Sequence, residues 1–286
     1  MKTTLILILA FFSTFMFSQN DAISGSYYQS SGSPEGGANF IVMPNNHFVV
    51  AYFGGIQKGT WKLEADGTYE FKYHAEPKFV LYGRHNTRLK DSISVSLAVD
   101  GNKGIAFRFN GSTDDIFTPM FNKGANCFSY PYIYKQKDKL ISLDAFSPDY
   151  KNYDDGRQGD LPGFYSFKIE ESYNDFIVAG LSEEYSQGGS FRAKYKDGVL
   201  LLDEMTNLEK RGDSEDLDEE TLSFVTRHTE FEIFPKLLEY RNEFFPHYDD
   251  PTDEDMIPYT KIDSVNKSSK DIIVSEAYLF YTSCED

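Results

Sequence analysis

The sequence predicts a mainly β protein, an antiparallel sandwich or barrel, built as two β modules with one or two short helices in the second half. Three observations carry that reading. Short runs of alternating apolar and polar residues recur from Ser24 onward. Turn signals such as Pro44-Asn45-Asn46, Gly54-Gly55 and Asp66-Gly67 separate them. The chain also lacks a glycine-rich phosphate loop and regular strand–helix alternation, which argues against a doubly wound nucleotide-binding fold.

Taken in order, Ala38 to Met43 is an apolar strand, and His47 to Phe53 follows with Phe48, Val50 and Tyr52 on one parity. Thr60 to Leu63 leads through Asp66-Gly67, a hairpin signal, into Thr68 to Tyr73. Lys78 to Tyr82, Ser92 to Val99 and Ile105 to Phe109 continue the pattern, and Asp144 to Gly163 reads as a polar connector. Strand-like patterning resumes at Phe164 to Ile169, Asp175 to Leu181 and Ser190 to Tyr195, with Asp197-Gly198 turning into Val199 to Leu202. Glu204 to Arg211 is a short helix candidate. Pro235 to Phe245 is a stronger one, with proline at its first position, an apolar face of Leu237, Leu238, Tyr240, Phe244 and Phe245, and Pro246 as its stop. Ile272 to Tyr281 reads as a closing strand. Similar residue groups at Gly25-Ser26-Tyr27 and Gly163-Phe164-Tyr165, at Phe40-Ile41-Val42 and Phe176-Ile177-Val178, and at Gly59-Thr60-Trp61 and Gly189-Ser190-Phe191 hint at duplication; shared hairpin grammar explains them at least as well.

Composition narrows the class. The 286 residues carry 28 basic and 45 acidic side chains, a formal charge of −17 and a mean hydropathy of −0.47. That acid surplus repels phosphate backbones, so nucleic acid is not an expected partner. A hydrophobic content of 40%, with 16% aromatics, is too rich for a disordered chain. The N-terminus has the layout of a secretory signal: Lys2, then a nearly all-apolar Leu5 to Phe17, then an abrupt polar turn at Ser18-Gln19-Asn20-Asp21. Residues 1–18 are therefore expected to be removed near Ser18, giving a secreted or periplasmic protein with no membrane span; an uncleaved anchor is the rival reading. In an oxidising compartment Cys127 and Cys284 are expected to pair, against the alternative of two buried thiols.

From Gly25 to Phe71 the chain resembles bacterial extracytoplasmic lipocalin-like, calycin-type β domains. The carriers are Gly25 and Tyr27 of a G-x-Y, the run Met43-Pro44-Asn45-Asn46-His47-Phe48, and Gly59-Thr60-Trp61 of a G-x-W. The resemblance implies a β-meander curled around an apolar interior with Trp61 as a core plug. A lone Trp in an alternating strand reads the same way, as core first and ligand platform second.

Catalytic constellations are sparse. No G-x-S-x-G elbow occurs, and His47, His74, His85, His228 and His247 show no paired metal-ligand spacing. With 45 carboxylates, a glycosidase-type pair always has candidates and no individual ones. Two acidic tracts stand out: Asp213, Glu215, Asp216, Asp218, Glu219 and Glu220; and Asp249, Asp250, Asp253, Glu254 and Asp255. The second is the candidate Ca²⁺ site, since clustered oxygens suit that ion, although neither tract matches an EF-hand and a solvated loop is the plainer reading. Tyr52, Tyr69 and Tyr73 join Trp61 as candidate ligand platforms, and Tyr130-Pro131-Tyr132-Ile133-Tyr134 as a candidate exposed ledge, against routine core packing.

The expected function is an exported, non-catalytic binding or interaction protein for a small molecule, glycan or protein. The alternatives are an extracytoplasmic carboxylate-dependent hydrolase, Ca²⁺-supported or not, and a cell-envelope structural protein with a cation-binding acidic face. Charge also suggests a boundary: residues 19–145 hold 13 basic and 12 acidic side chains, residues 146–286 hold 14 and 33. That asymmetry predicts a near-neutral β module followed by an acidic one.

Overall fold

The computed structural model describes residues 22–30, 36–53, 55–99, 104–111, 116–151, 162–169, 172–181, 186, 188–202, 207–238 and 258–284. The chain divides into two compact units, neither continuous in sequence. One comprises Met1–Ala75 with Gln187–Glu232, the other Glu76–Ser186 with Ile233–Asp286.

The first unit is a closed eight-stranded antiparallel barrel. Its strands are β1 (Gly25–Gln29), β2 (Ala38–Val42), β3 (His47–Tyr52), β4 (Gly55–Leu63), β5 (Tyr69–Tyr73), β14 (Ser190–Lys196), β15 (Val199–Leu201) and β16 (Asn207–Asp213). Each pairs with the next in that order, β5 with β14 across the insertion, and β16 returns to β1. Closure removes exposed sheet edges and places alternate side chains inside. The predicted hairpins at Asp66-Gly67 and Asp197-Gly198 are present, joining β4 to β5 and β14 to β15. The interior is aromatic: Tyr27, Phe40, Phe48, Trp61, Tyr69 and Phe71 are buried together with Leu200 and Leu208. Outside the wall, helix α1 (Glu219–Glu230) lays the buried Val225 against Ile41 and Val49.

The second unit is a sandwich of two six-stranded sheets. Its elements are β6 (Phe79–Arg84), β7 (Ile93–Ala98), β8 (Ala106–Phe109), β9 (Ile116–Pro119), β10 (Tyr132–Gln136), β11 (Ser142–Lys151), β12 (Pro162–Lys168), β13 (Asp175–Gly180), β17 (Leu237–Leu238), β18 (Tyr259–Ile262), β19 (Ser264–Ser268) and β20 (Ile273–Val274). One sheet runs β10-β7-β13-β6-β18-β17, the other β19-β12-β11-β8-β9-β20. Their facing sides share one core, in which Phe79, Val95, Phe176 and Val178 of the first sheet meet Phe107, Leu143, Ala145 and Phe167 of the second. Cys127 and Cys284 are joined in a disulfide with Cα atoms 5.2 Å apart.

The mainly β architecture agrees with the sequence reading; several details do not. Glu204 to Arg211 is not a helix in its described part: Asn207–Asp213 is β16, held between β15 and β1, with Leu208 directed into the barrel. Pro235 to Phe245 does not begin as a helix, because Leu237 and Leu238 pair with Thr260 and Tyr259; residues 239–245 lie outside the described ones. The helix of the second half is α1, which starts inside the acidic tract. The supposed connector at 144–163 holds the paired ends of β11 and β12. The duplication hint dissolves as well: β1 and β2 are paired neighbours, whereas β12 and β13, which carry their proposed counterparts, belong to different sheets.

The compact units also cut the chain differently from the charge-based boundary. Counted from residue 19, the barrel unit holds 9 basic and 17 acidic side chains and the sandwich unit 18 and 28. Both units are acidic, because the acid-rich C-terminal half of the chain is divided between them.

Candidate functional site

Two places were natural sites on the sequence reading, the barrel interior and the acidic tracts. The barrel brings the resembling motifs together at one end. Trp61 is 3% exposed and its Nε1 donates to the Met43 carbonyl at 3.1 Å. The Trp61 N–H donates to the Asn46 carbonyl at 2.8 Å, and Asn46 Nδ2 returns a bond to the Trp61 carbonyl at 3.1 Å. Asn46 adopts the left-handed conformation (φ 67°) that Asn tolerates better than most side chains. Gly59 is needed because a Cβ there would overlap the Lys72 carbonyl and the Phe48 ring. The tyrosine of the G-x-Y, Tyr27, donates its hydroxyl to the Ile23 carbonyl at 2.6 Å. These residues knot one end of the barrel shut.

The remaining candidates on this unit follow the same packing. Tyr69 is buried with its ring centroid 5.8 Å from Trp61, while Tyr73 is half-buried beside Phe48 and Phe191. Phe71 and Phe191, paired residues of the neighbouring strands β5 and β14, stack face to face at 4.9 Å. Tyr52 is half-buried near the opposite end, paired with Gly55. Burial pushes the phenols of Tyr27, Tyr69 and Tyr73 above the usual tyrosine range; nearby Tyr195 adds to the shift at Tyr27 and Tyr69. Such groups are poor acids and good packing units.

The acidic tract at 213–220 is occupied by structure-forming contacts. Asp213 pairs with Lys210 at 2.6 Å, and Asp218 caps α1 by accepting from the Thr221 N–H at 2.7 Å. That backbone bond, with a further one from the Thr221 side chain, holds the Asp218 carboxyl below its ordinary value. Asp249, Asp250, Asp253, Glu254 and Asp255 lie outside the described residues. Among the described residues no three His, Cys, Asp or Glu side chains converge as a metal site. The tyrosine ledge of β10 is half-buried: Tyr130 donates to the Val99 carbonyl at 3.1 Å, and the Tyr132 hydroxyl accepts from the Ser129 N–H at 2.8 Å.

A candidate site that the sequence reading missed lies on the sandwich. The C-terminal strap, residues 273–284, runs beside residues 116–127 and is fixed at intervals. Ile273 and Val274 pair in parallel with Ile116 and Phe117, and Ser275 N–H donates to the Phe117 carbonyl at 2.8 Å. Leu279 and Phe280 donate to the carbonyls of Pro119 and Met120, each at 2.9 Å. Between these anchors Glu276, Ala277 and Tyr278 arch away from the ladder. Beneath the arch is an open cleft of about 670 Å³. Its floor and walls are Ile105, Pro119, Phe121 and Ala125, with Val274 and Tyr278 on the strap side. Asn122, Lys123 and Glu276 supply polar groups, the last two exposed and of opposite charge.

The size falls within the range of small-molecule sites, roughly 300–1,000 Å³. Among the described lining residues Glu276 is the one carboxylate, with no histidine or thiol beside it. Two-carboxylate hydrolysis needs a second acid at a set distance. What the arrangement offers is aromatic and aliphatic surface with polar groups at the rim. The expected closing strand at Ile272 to Tyr281 explains why the sequence hid this site: its alternation is genuine, but only its ends pair. No protein-family model, curated protein or solved structure matches the chain.

Proposed function

We propose that this is an exported, non-catalytic binding protein whose ligand docks in the cleft under the C-terminal arch. The ligand class that suits the lining is amphiphilic and small, of drug or short-peptide size. Its apolar part would rest on Phe121, Val274 and Tyr278, and its polar ends would meet Lys123 and Glu276. The observation that carries this reading is the cleft itself: about 670 Å³, mixed in lining, with a single acid among its described lining residues. Export is supported by the apolar segment Leu5 to Phe17 and the polar turn after it. In this reading the lipocalin-like barrel is a packed scaffold, because stacked rings occupy the interior that a ligand cup would need.

The test is to identify a co-purifying or screened ligand on the wild-type protein and then fill the cleft with Ala277→Trp. Ala277 is exposed, so the substitution leaves the core alone. Binding should weaken at least about tenfold, some 1.4 kcal/mol, with the melting temperature unchanged. Ligands that bind the filled variant as well as the wild type would remove the cleft from consideration.

A further inference from the structure

We infer that the Cys127–Cys284 disulfide is a redox latch on the cleft, a proposal that rests on the cleft's being the binding site. The strap buries little of its apolar surface. Ile273, Val274, Tyr278 and Tyr281 are 56%, 46%, 45% and 69% exposed, and only Leu279, Phe280 and the buried Thr282 face inward. Beyond Phe280 the noncovalent fastenings among the described residues are two asparagine side chains. Asn122 Oδ1 accepts from the Thr282 N–H at 2.8 Å and Asn126 Oδ1 from the Cys284 N–H at 3.0 Å. A segment with so few buried contacts has little to offset the entropy of ordering it. The cross-link supplies the missing constraint. It ties the strap at Cys284 to Cys127, two residues beyond the 119–125 segment that forms the opposite wall of the cleft.

Both cysteines are exposed, so a thiolate can reach either sulfur. Attack by an external dithiol breaks the Cys127–Cys284 bond through a mixed disulfide. The dithiol is then oxidised to its own disulfide and two protein thiols remain, the two electrons passing from reagent to protein. With the bond gone, the strap peels back from Cys284 toward Ser275, and the Tyr278 side of the wall leaves with it while Val274 stays paired with Phe117. The cleft is thus complete only in an oxidising compartment, and a dithiol reductant there would discharge its ligand.

The experiment is hydrogen exchange on the full chain, oxidised and after reduction with dithiothreitol and alkylation, repeated on Cys127→Ser/Cys284→Ser. The expected result is at least tenfold faster exchange at the Leu279, Phe280 and Thr282 amides. Exchange in the sandwich core at Leu143 and Val178, and in the barrel at Phe48, should stay unchanged. Unchanged protection of the strap after reduction would overturn the latch. Loss of protection at Leu143 and Val178 would overturn it too, making the disulfide a global brace. This readout needs no ligand, so a failed ligand search and a failed latch are told apart.

Discussion

At the scale of single residues, the motifs that drew attention in the sequence turn out to be devices for closing a barrel. Gly59, Trp61, Asn46 and Phe48 come from segments that are apart in sequence, yet each constrains another. The Phe48 ring occupies the space a Cβ at position 59 would take, and the Trp61 indole ties down the turn that holds Asn46. Gly59→Ala is therefore expected to cost about 1–3 kcal/mol by overpacking. Trp61→Ala should cost about 3–5 kcal/mol by leaving a cavity. Both are read from urea denaturation followed on barrel signals; a Gly59→Ala barrel as stable as wild type would mean that the Lys72 backbone and the Phe48 ring both have room to move. The buried phenols make a second prediction. Desolvation first, then Tyr195, Tyr69 and Asp213, raises Tyr27 above the ordinary value near 10. An acid whose folded pKa is raised favours folding in its neutral form. Its contribution is complete below pH ~10 and is lost as pH climbs past the unfolded value toward the folded one. Barrel stability should thus be insensitive to these phenols up to about pH 10 and fall above it, with their phenolate absorbance appearing only as the barrel opens. Tyr27, Tyr69 and Tyr73 titrating freely near pH 10 in the folded state would contradict that.

At the scale of elements, helix α1 shows how local chemistry and packing divide the work. Asp218 caps its first turn and the helix docks through a narrow apolar stripe, Val225 against Ile41 and Val49. Truncating Val225→Ala removes two buried carbons, about 1–2 kcal/mol at roughly 0.8 kcal/mol per methylene. Val225→Asp should undock the helix, raising amide exchange across Glu219–Glu230 while the strands keep their protection; unaltered exchange would mean that other contacts hold it. This helix was hidden in the sequence because its first residues are acidic and read as solvated loop. The strands were legible, since Phe48 with Val50 and Val95 with Leu97 alternate as half-buried strands must. What local pattern leaves open is which strand an alternating segment joins. Leu208 and Glu209 take the inner and outer faces only once β15 and β1 flank them. Leu237 and Leu238 suit a helix face until Tyr259 offers a ladder partner. The cleft was illegible for a related reason: it arises where Glu276 to Tyr278 fail to pair, and an absence of pairing leaves no periodic signature.

At the scale of the molecule, the decisive feature is that a meander of eight strands is interrupted between its fifth and sixth. Residues 76–186 enter the chain between β5 and β14, although those two strands are antiparallel neighbours with Ser190 opposite Lys72. Tyr73 N–H donates to the Gly189 carbonyl at 2.9 Å, and a Cβ at Gly188 would lie 3.2 Å from that of Ala75. The chain thus leaves and re-enters the barrel at one point, the geometry in which insertion is tolerated. A two-residue Asn-Gly turn spans such a gap in ordinary hairpins. The barrel's aromatic core, its closure through β1 and β16, and its helix α1 all come from residues 22–75 and 187–232. A chain of residues 19–75 joined by Asn-Gly to 188–232 is therefore expected to fold alone. It should show one cooperative urea transition and near-ultraviolet circular dichroism from its buried Trp61, both indifferent to reductant, because Cys127 and Cys284 are absent from it. A soluble but molten product, with secondary structure and no near-ultraviolet signal, would show that the barrel depends on the inserted unit.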